Sequence, residues 1–86
     1  MPEISRFYGI IIAMFYDDHN PPHFHARYGK DSVAIGIDSL RVLEGHISHR
    51  ALGLATEWAS QHQKELMHNW NLAKKNRPPK QISPLA

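Results

Sequence analysis

Residues 8–16, YGIIIAMFY, form a continuous apolar and aromatic run with three consecutive isoleucines and no helical spacing. β-Branched and aromatic side chains suit a pleated, buried surface, so this run predicts a strand. DDHNPP follows at 17–22 and predicts a loop, because its two prolines fix φ and hold Asn20 extended. Residues 23–28 predict a second strand. Gly29, Lys30 and Asp31 predict a tight turn into a third strand over 32–37. Asp38 and Ser39 turn the chain again, and residues 40–44 complete a four-stranded antiparallel meander.

From Ser48 the period changes. With Ala51 set at zero and 100° per residue, Leu54, Ala55, Trp58, Ala59, Leu66, Trp70 and Ala73 fall between about −60° and +100°. Thr56, Glu57, Ser60, Lys64, Asn71 and Lys75 fall opposite. Ser48 suits an N-cap, Lys74 and Lys75 suit the C-terminal dipole, and Pro78 and Pro79 end the helix. The fold class expected is therefore α+β: a four-stranded antiparallel meander with a long C-terminal helix, or two consecutive helices, packed on one face. Residues 1–76 make a single domain, and residues 77–86 a basic, proline-containing tail.

One helix of this length spans roughly 40 Å at 1.5 Å per residue. A six-residue strand spans about 20 Å. A continuous helix thus overhangs the sheet, leaving Leu66, Asn69 and Trp70 to form an interface in a homodimer. The rival is a break near residues 61–63, with the second half folding back to bury Trp70 within the monomer.

Composition narrows the classes. A chain of 86 residues holds one domain and cannot build a Rossmann domain or a TIM barrel. Hydrophobic residues make up 42%, which excludes wholesale disorder. The absence of Cys excludes disulfides and thiolate metal sites, and fits a cytoplasmic location. The longest apolar run, residues 10–15, is far short of the roughly 18 residues a membrane span needs. The first residues lack the basic-then-apolar pattern of a signal peptide. The net charge of +2 is unevenly divided. Lys74, Lys75, Arg77 and Lys80 put +4 on residues 74–86, so the rest carries −2. Contact with nucleic acid is therefore expected only through the tail.

The seven histidines are the compositional outlier, and His19, His23 and His25 fall within seven residues. His23 and His25 share one face of a strand, about 7 Å apart, and His19 can fold back over the prolines. Neutral imidazoles suit zinc, nickel, copper or iron, and three of them would leave an open coordination position. No cofactor is compelled, but a divalent metal such as zinc is compatible. The HxH spacing lacks the acid a cupin has a few residues later, and the chain is too short for a cupin barrel. The plainer reading is that these imidazoles hydrogen-bond loop backbone and one another. His62 and Asn69 fall in the middle of the helical apolar face and Glu65 at its edge. Buried polar groups there need partners, since an orphan costs roughly 1–3 kcal/mol. His62 and Glu65 either fix helix register or join His23 and His25 in one catalytic site. No nucleophile elbow and no phosphate-binding glycine loop occurs.

The stretch ISRFYGIIIAMFYDDHNPPHFHARYG at 4–29, with EWASQH at 57–62 and ELMHNW at 65–70, resembles the family catalogued as Domain of Unknown Function 4160. Ser48 stands where the family pattern has Pro, and both suit a helix start. The resemblance implies a short bacterial protein whose gene neighbours another small uncharacterised family, as in a toxin–antitoxin or regulatory pair. It brings no catalytic residues. The leading expectation is an interaction module of such a pair, partnered by itself or by a small protein encoded nearby. The alternative is a small metal-dependent or acid–base hydrolase, RNase-like, centred on the histidine cluster.

Overall fold

A computed structural model describes residues 2–86. It is an α+β fold in two layers. Strands β1 (Glu3–Phe7), β2 (Ile10–Ala13), β3 (His23–Tyr28), β4 (Asp31–Gly36) and β5 (Val42–Gly45) form one antiparallel sheet in sequential order. Helices α1 (His49–Ser60) and α2 (Gln63–Lys74) cover one face.

The sheet has five strands, not the four expected. The run at 8–16 is not one strand: Tyr8 and Gly9 both take positive φ, at 50° and 80°, and form the two-residue turn of a hairpin. β1 precedes that turn and pairs with β2 through Phe7 opposite Ile10 and Arg6 opposite Ile11. Only residues 10–13 of the run remain strand, and Tyr8 and Tyr16 are exposed.

The core face carries Ile4, Ile10, Ile12, Phe24, Ala26, Val33 and Ile35, all essentially sealed from solvent. Alternation places Arg6, Ile11, Ala13, His25, Arg27, Ser32, Ala34 and Glu44 on the other face, which no helix covers. Trp58 of α1 packs on Phe7 and Phe24, with ring centroids 5.5 and 6.0 Å away.

Ser48 caps α1 as expected, its hydroxyl accepting from the Ala51 amide at 3.2 Å. The helical run then breaks at Gln61 and His62. Neither Pro nor Gly is responsible. Gln63 donates from Nε2 to the Ile37 carbonyl at 2.8 Å, which ties the junction to the end of β4. The His62 Nδ1 and Glu65 Oε1 atoms, 2.6 Å apart, link the start of α2 to its first turn. Folding back buries Leu66, Asn69, Trp70 and Ala73 in the same chain. The candidate interface of Leu66, Asn69 and Trp70 is thus internal core. The overhang that called for a partner does not form, because the helix turns back where the sheet ends.

Residues 77–86 run back across this body. Lys80 donates its amide to Asn69 Oδ1 at 2.9 Å, and Asn69 Nδ2 donates to the Lys80 carbonyl at 2.8 Å. Ile82 is buried and donates its amide to Ile4 on β1, the sheet edge, at 2.8 Å. Among the described residues, no helix is long and apolar enough to cross a membrane.

Gly45 closes the β4–β5 pairing at φ +77°, and a Cβ there would lie 2.4 Å from the Ser32 carbonyl oxygen. Gly45→Ala is therefore expected to cost more than about 2 kcal/mol, left-handed backbone alone accounting for roughly 1–2. Gly53, on α1, has open space around its Cβ position. Gly53→Ala is expected to stabilise by about 0.5–1 kcal/mol. Urea unfolding of the two variants checks both signs.

Candidate functional site

The loop between β2 and β3 is anchored from behind by the end of α2. The Asp17 amide donates to the Ala73 carbonyl at 3.0 Å, joining the Asn76 amide on an acceptor in the last turn of α2. Lys74 Nζ donates to the Asp18 carbonyl at 2.9 Å. The Asn20–Pro21 peptide is cis. These anchors turn the Asp18 side chain toward the first residues of β3.

There Asp18, His23 and His25 converge, each offering a ligand atom within 4.8 Å of the others. His23 Nε2 lies 2.9 Å from Asp18 Oδ2, and His25 Nε2 lies 3.3 Å from the same oxygen. His23 is almost fully buried, its ring 5.2 Å from that of Trp70. Its Nδ1–H donates to the Pro21 carbonyl at 2.7 Å. A carbonyl cannot donate, so the proton must sit on Nδ1. A neutral His23 ring then turns its Nε2 lone pair at a carboxylate. That arrangement needs a cation between the two atoms, either a proton or a metal ion.

The electrostatics follow from burial and neighbours. Burial works to raise the Asp18 carboxyl, but the His19 amide and the His25 and His23 imidazoles outweigh it and hold the group below its usual range. Burial pushes His25 down, against its hydrogen bond to Asp18, which favours the charged form. The carboxylate thus keeps its charge, and His25 stays neutral to lower pH than a free imidazole. Both are the forms that bind metal.

His25 has room to act. Ala13 flanks it on β2 and Ala34 on β4, and Glu44 stands opposite Ala34 on β5. A shift of register between Ala34 and Ile35 sets that pairing and leaves Leu43 without an opposite residue. Small side chains on both sides of the imidazole open a cleft of about 480 Å³. Asp18, His19, His23 and His25 form one wall, and Leu43 and Glu44 belong to the other. Phe15 stacks on the His25 ring, 4.1 Å between centroids.

The expected sharing of a face by His23 and His25 is observed. His19 lies outside the converging group. Its side chain is 87% exposed, and its Nδ1 approaches the other Asp18 oxygen at 3.0 Å. His62 and Glu65 are not brought to this cluster. They line a separate cleft at the α1–α2 junction, where the His62 ring packs 5.3 Å from that of Trp58. Asp18 is the residue that sequence reasoning passed over. An acid was sought after the HxH pair, whereas it lies five residues before His23, in a segment read only as loop. The signal was its position just across a proline turn from the histidines.

A five-stranded antiparallel meander backed by two helices, with an Asp-His-His cluster on its open face, defines a small α+β protein. The chain belongs to the family described as Domain of unknown function (DUF4160), which matches residues 9–71. No curated protein and no solved structure matches it.

Proposed function

We propose that this protein holds a divalent transition-metal ion, zinc foremost, on Asp18, His23 and His25, and uses it in a small hydrolytic centre. The observation that carries the reading is the meeting of two imidazole Nε2 atoms on one carboxylate oxygen, at 2.9 and 3.3 Å. Support comes from the Nδ1–H of His23 on the Pro21 carbonyl, the kind of outer hydrogen bond that fixes a ligating imidazole. Two imidazoles and one carboxylate are a donor set that zinc and iron(II) accept. Three protein ligands leave coordination open toward the cleft, as a catalytic site requires. A metal there supplies the acidification of water to about neutral pH. The chain's own part is to hold the ligands in place, to keep His25 neutral and to present Glu44 from the far wall.

Zinc titration and elemental analysis test this. One zinc per chain is expected at about pH 7.5, with affinity falling roughly tenfold or more by about pH 5.5 as ligand imidazoles take up protons. Asp18→Asn and His25→Ala are each expected to weaken binding by roughly 100-fold, and His19→Ala to leave it unchanged. Absence of uptake at the higher pH, or indifference to Asp18→Asn, reduces the cluster to a hydrogen-bonded loop anchor.

A second reading, an interaction module in a regulatory pair, is favoured by β5. It is a sheet edge whose Val42 and Leu43 are each more than two-fifths exposed. An edge of this kind pairs with a further strand, from a small protein or a second copy. Sedimentation equilibrium of the wild type and of Leu43→Glu separates this reading from a monomeric enzyme.

A further inference from the structure

The open sheet face continues beyond the Asp-His-His cluster into a second, smaller hollow of about 170 Å³. Its lining includes Ile11, Phe15, His25, Arg27 and Ser32. His25 and Phe15 belong to both hollows. Arg27 follows His25 by two residues on β3, so both side chains rise from the same face, about 7 Å apart at the backbone. Ser32 stands directly opposite Arg27 across the β3–β4 ladder, which makes its hydroxyl and the guanidinium neighbours. Glu3 is the acid near enough to feel the charge of Arg27. Its two carboxylate oxygens are already held by Arg6, at 2.7 and 3.0 Å. Among the described residues, Arg27 enters no ion pair. A guanidinium offers five N–H donors in a fork.

We infer that the centre takes a phosphate ester, whose oxyanion sits on Arg27 and the Ser32 hydroxyl while another of its oxygens reaches past His25 to the Asp18, His23 and His25 cluster. The inference rests on the metal reading above and names the substrate class for it. Phosphate is preferred to carboxylate on oxygen count. A bidentate guanidinium engages both oxygens of a carboxylate, so a metal beside it would have to share one of them, whereas a phosphoryl group keeps a further oxygen for the metal. Charge points the same way. A divalent ion balanced by Asp18 and Glu44 is neutral, so Arg27 leaves one positive charge, matched to the single negative charge of a phosphodiester. Ile11 and Phe15 form an apolar flank for the organic part of the ester.

The test is titration of inorganic phosphate into zinc-loaded and metal-free protein, followed by calorimetry and by backbone amide shifts. Saturable binding is expected in the loaded protein, with shifts concentrated at Arg27 and Ser32. Arg27→Ala is expected to weaken phosphate roughly tenfold or more, with Arg27→Lys intermediate, because a point charge replaces a two-pronged donor. Zinc affinity should stay unchanged in both, since Arg27 is exposed and supplies no ligand. Acetate should compete only weakly. Phosphate binding that survives Arg27→Ala overturns the proposal, and acetate competing as well as phosphate overturns the substrate class. Phosphate bound at Arg27 by a protein that takes no zinc keeps the anion subsite and discards the metal. Zinc uptake without phosphate binding does the reverse.

Discussion

Trp58→Ala is expected to lower stability by roughly 3–5 kcal/mol, the range for deleting a buried aromatic side chain. The ring has no exposed surface. It sits where both layers meet, against Phe7 of β1, Phe24 of β3 and His62 at the helix junction. No neighbour can close the resulting cavity without moving a strand. The indole N–H also donates to the Ser83 carbonyl at 2.8 Å, so the substitution loosens the tail as well. Trp58→Phe separates the two contributions: it keeps most of the ring and removes the donor, and about 1 kcal/mol is expected. Thermal melts followed by far-ultraviolet circular dichroism measure both. A melt of Trp58→Ala that overlays the wild type contradicts the placement of this ring in the core.

Truncation after Arg77 is expected to have an effect of comparable size. Asn69 is 1% exposed, and both of its side-chain hydrogen bonds go to the main chain of Lys80. Without the tail, that amide and the Trp58 indole lose their partners, at roughly 1–3 kcal/mol for each group that stays buried. Loss of the buried Ile82 side chain adds roughly 1.5–3 kcal/mol. Together these approach the 5–15 kcal/mol by which ordinary domains are stable. The truncated chain should show a broad, low transition and a weakened near-ultraviolet tryptophan signal. A melting temperature within about 4–8 °C of the intact chain, the shift for 1 kcal/mol in a domain this small, means that the tail only decorates the surface.

The meander from β3 to β5 and the apolar face of the helices were legible because their signals are local. His23–Tyr28 matches its expected bounds, and the period anchored at Ala51 finds its buried residues in Ala55, Trp58, Leu66 and Trp70. β1 was not legible. Its residues, EISRF, hold two apolar side chains three apart, off the strand period of two and reconciled only by an irregularity between Glu3 and Ser5, and the Tyr8–Gly9 turn was hidden inside an apolar run. The helix break was visible only as a length mismatch. The bond that holds it, from Gln63 to Ile37, reaches across 26 residues. Asn69 was rightly read as a buried polar group in need of a partner, but the partner is the tail rather than a second copy. At the site, the two strand histidines were found through period two. Asp18 was not, because its role depends on how the loop folds back under the hold of Lys74 and Ala73.

The sequential order of the strands has a kinetic consequence. Each strand pairs with its neighbour in the chain, so the sheet can zip up hairpin by hairpin without a long search. The distant closure is the tail's: Gln81 Nε2 donates to the Glu3 carbonyl across 78 residues, at 2.6 Å. Such a loop is entropically costly to close until the body has brought its ends together. The tail is therefore expected to dock after the rate-limiting barrier and to detach before it on the way out. Substitutions in residues 79–86 should quicken unfolding and leave the refolding rate untouched. The persistence of the folded state is then set by a strap of a few residues, while its speed of formation is set by the hairpins.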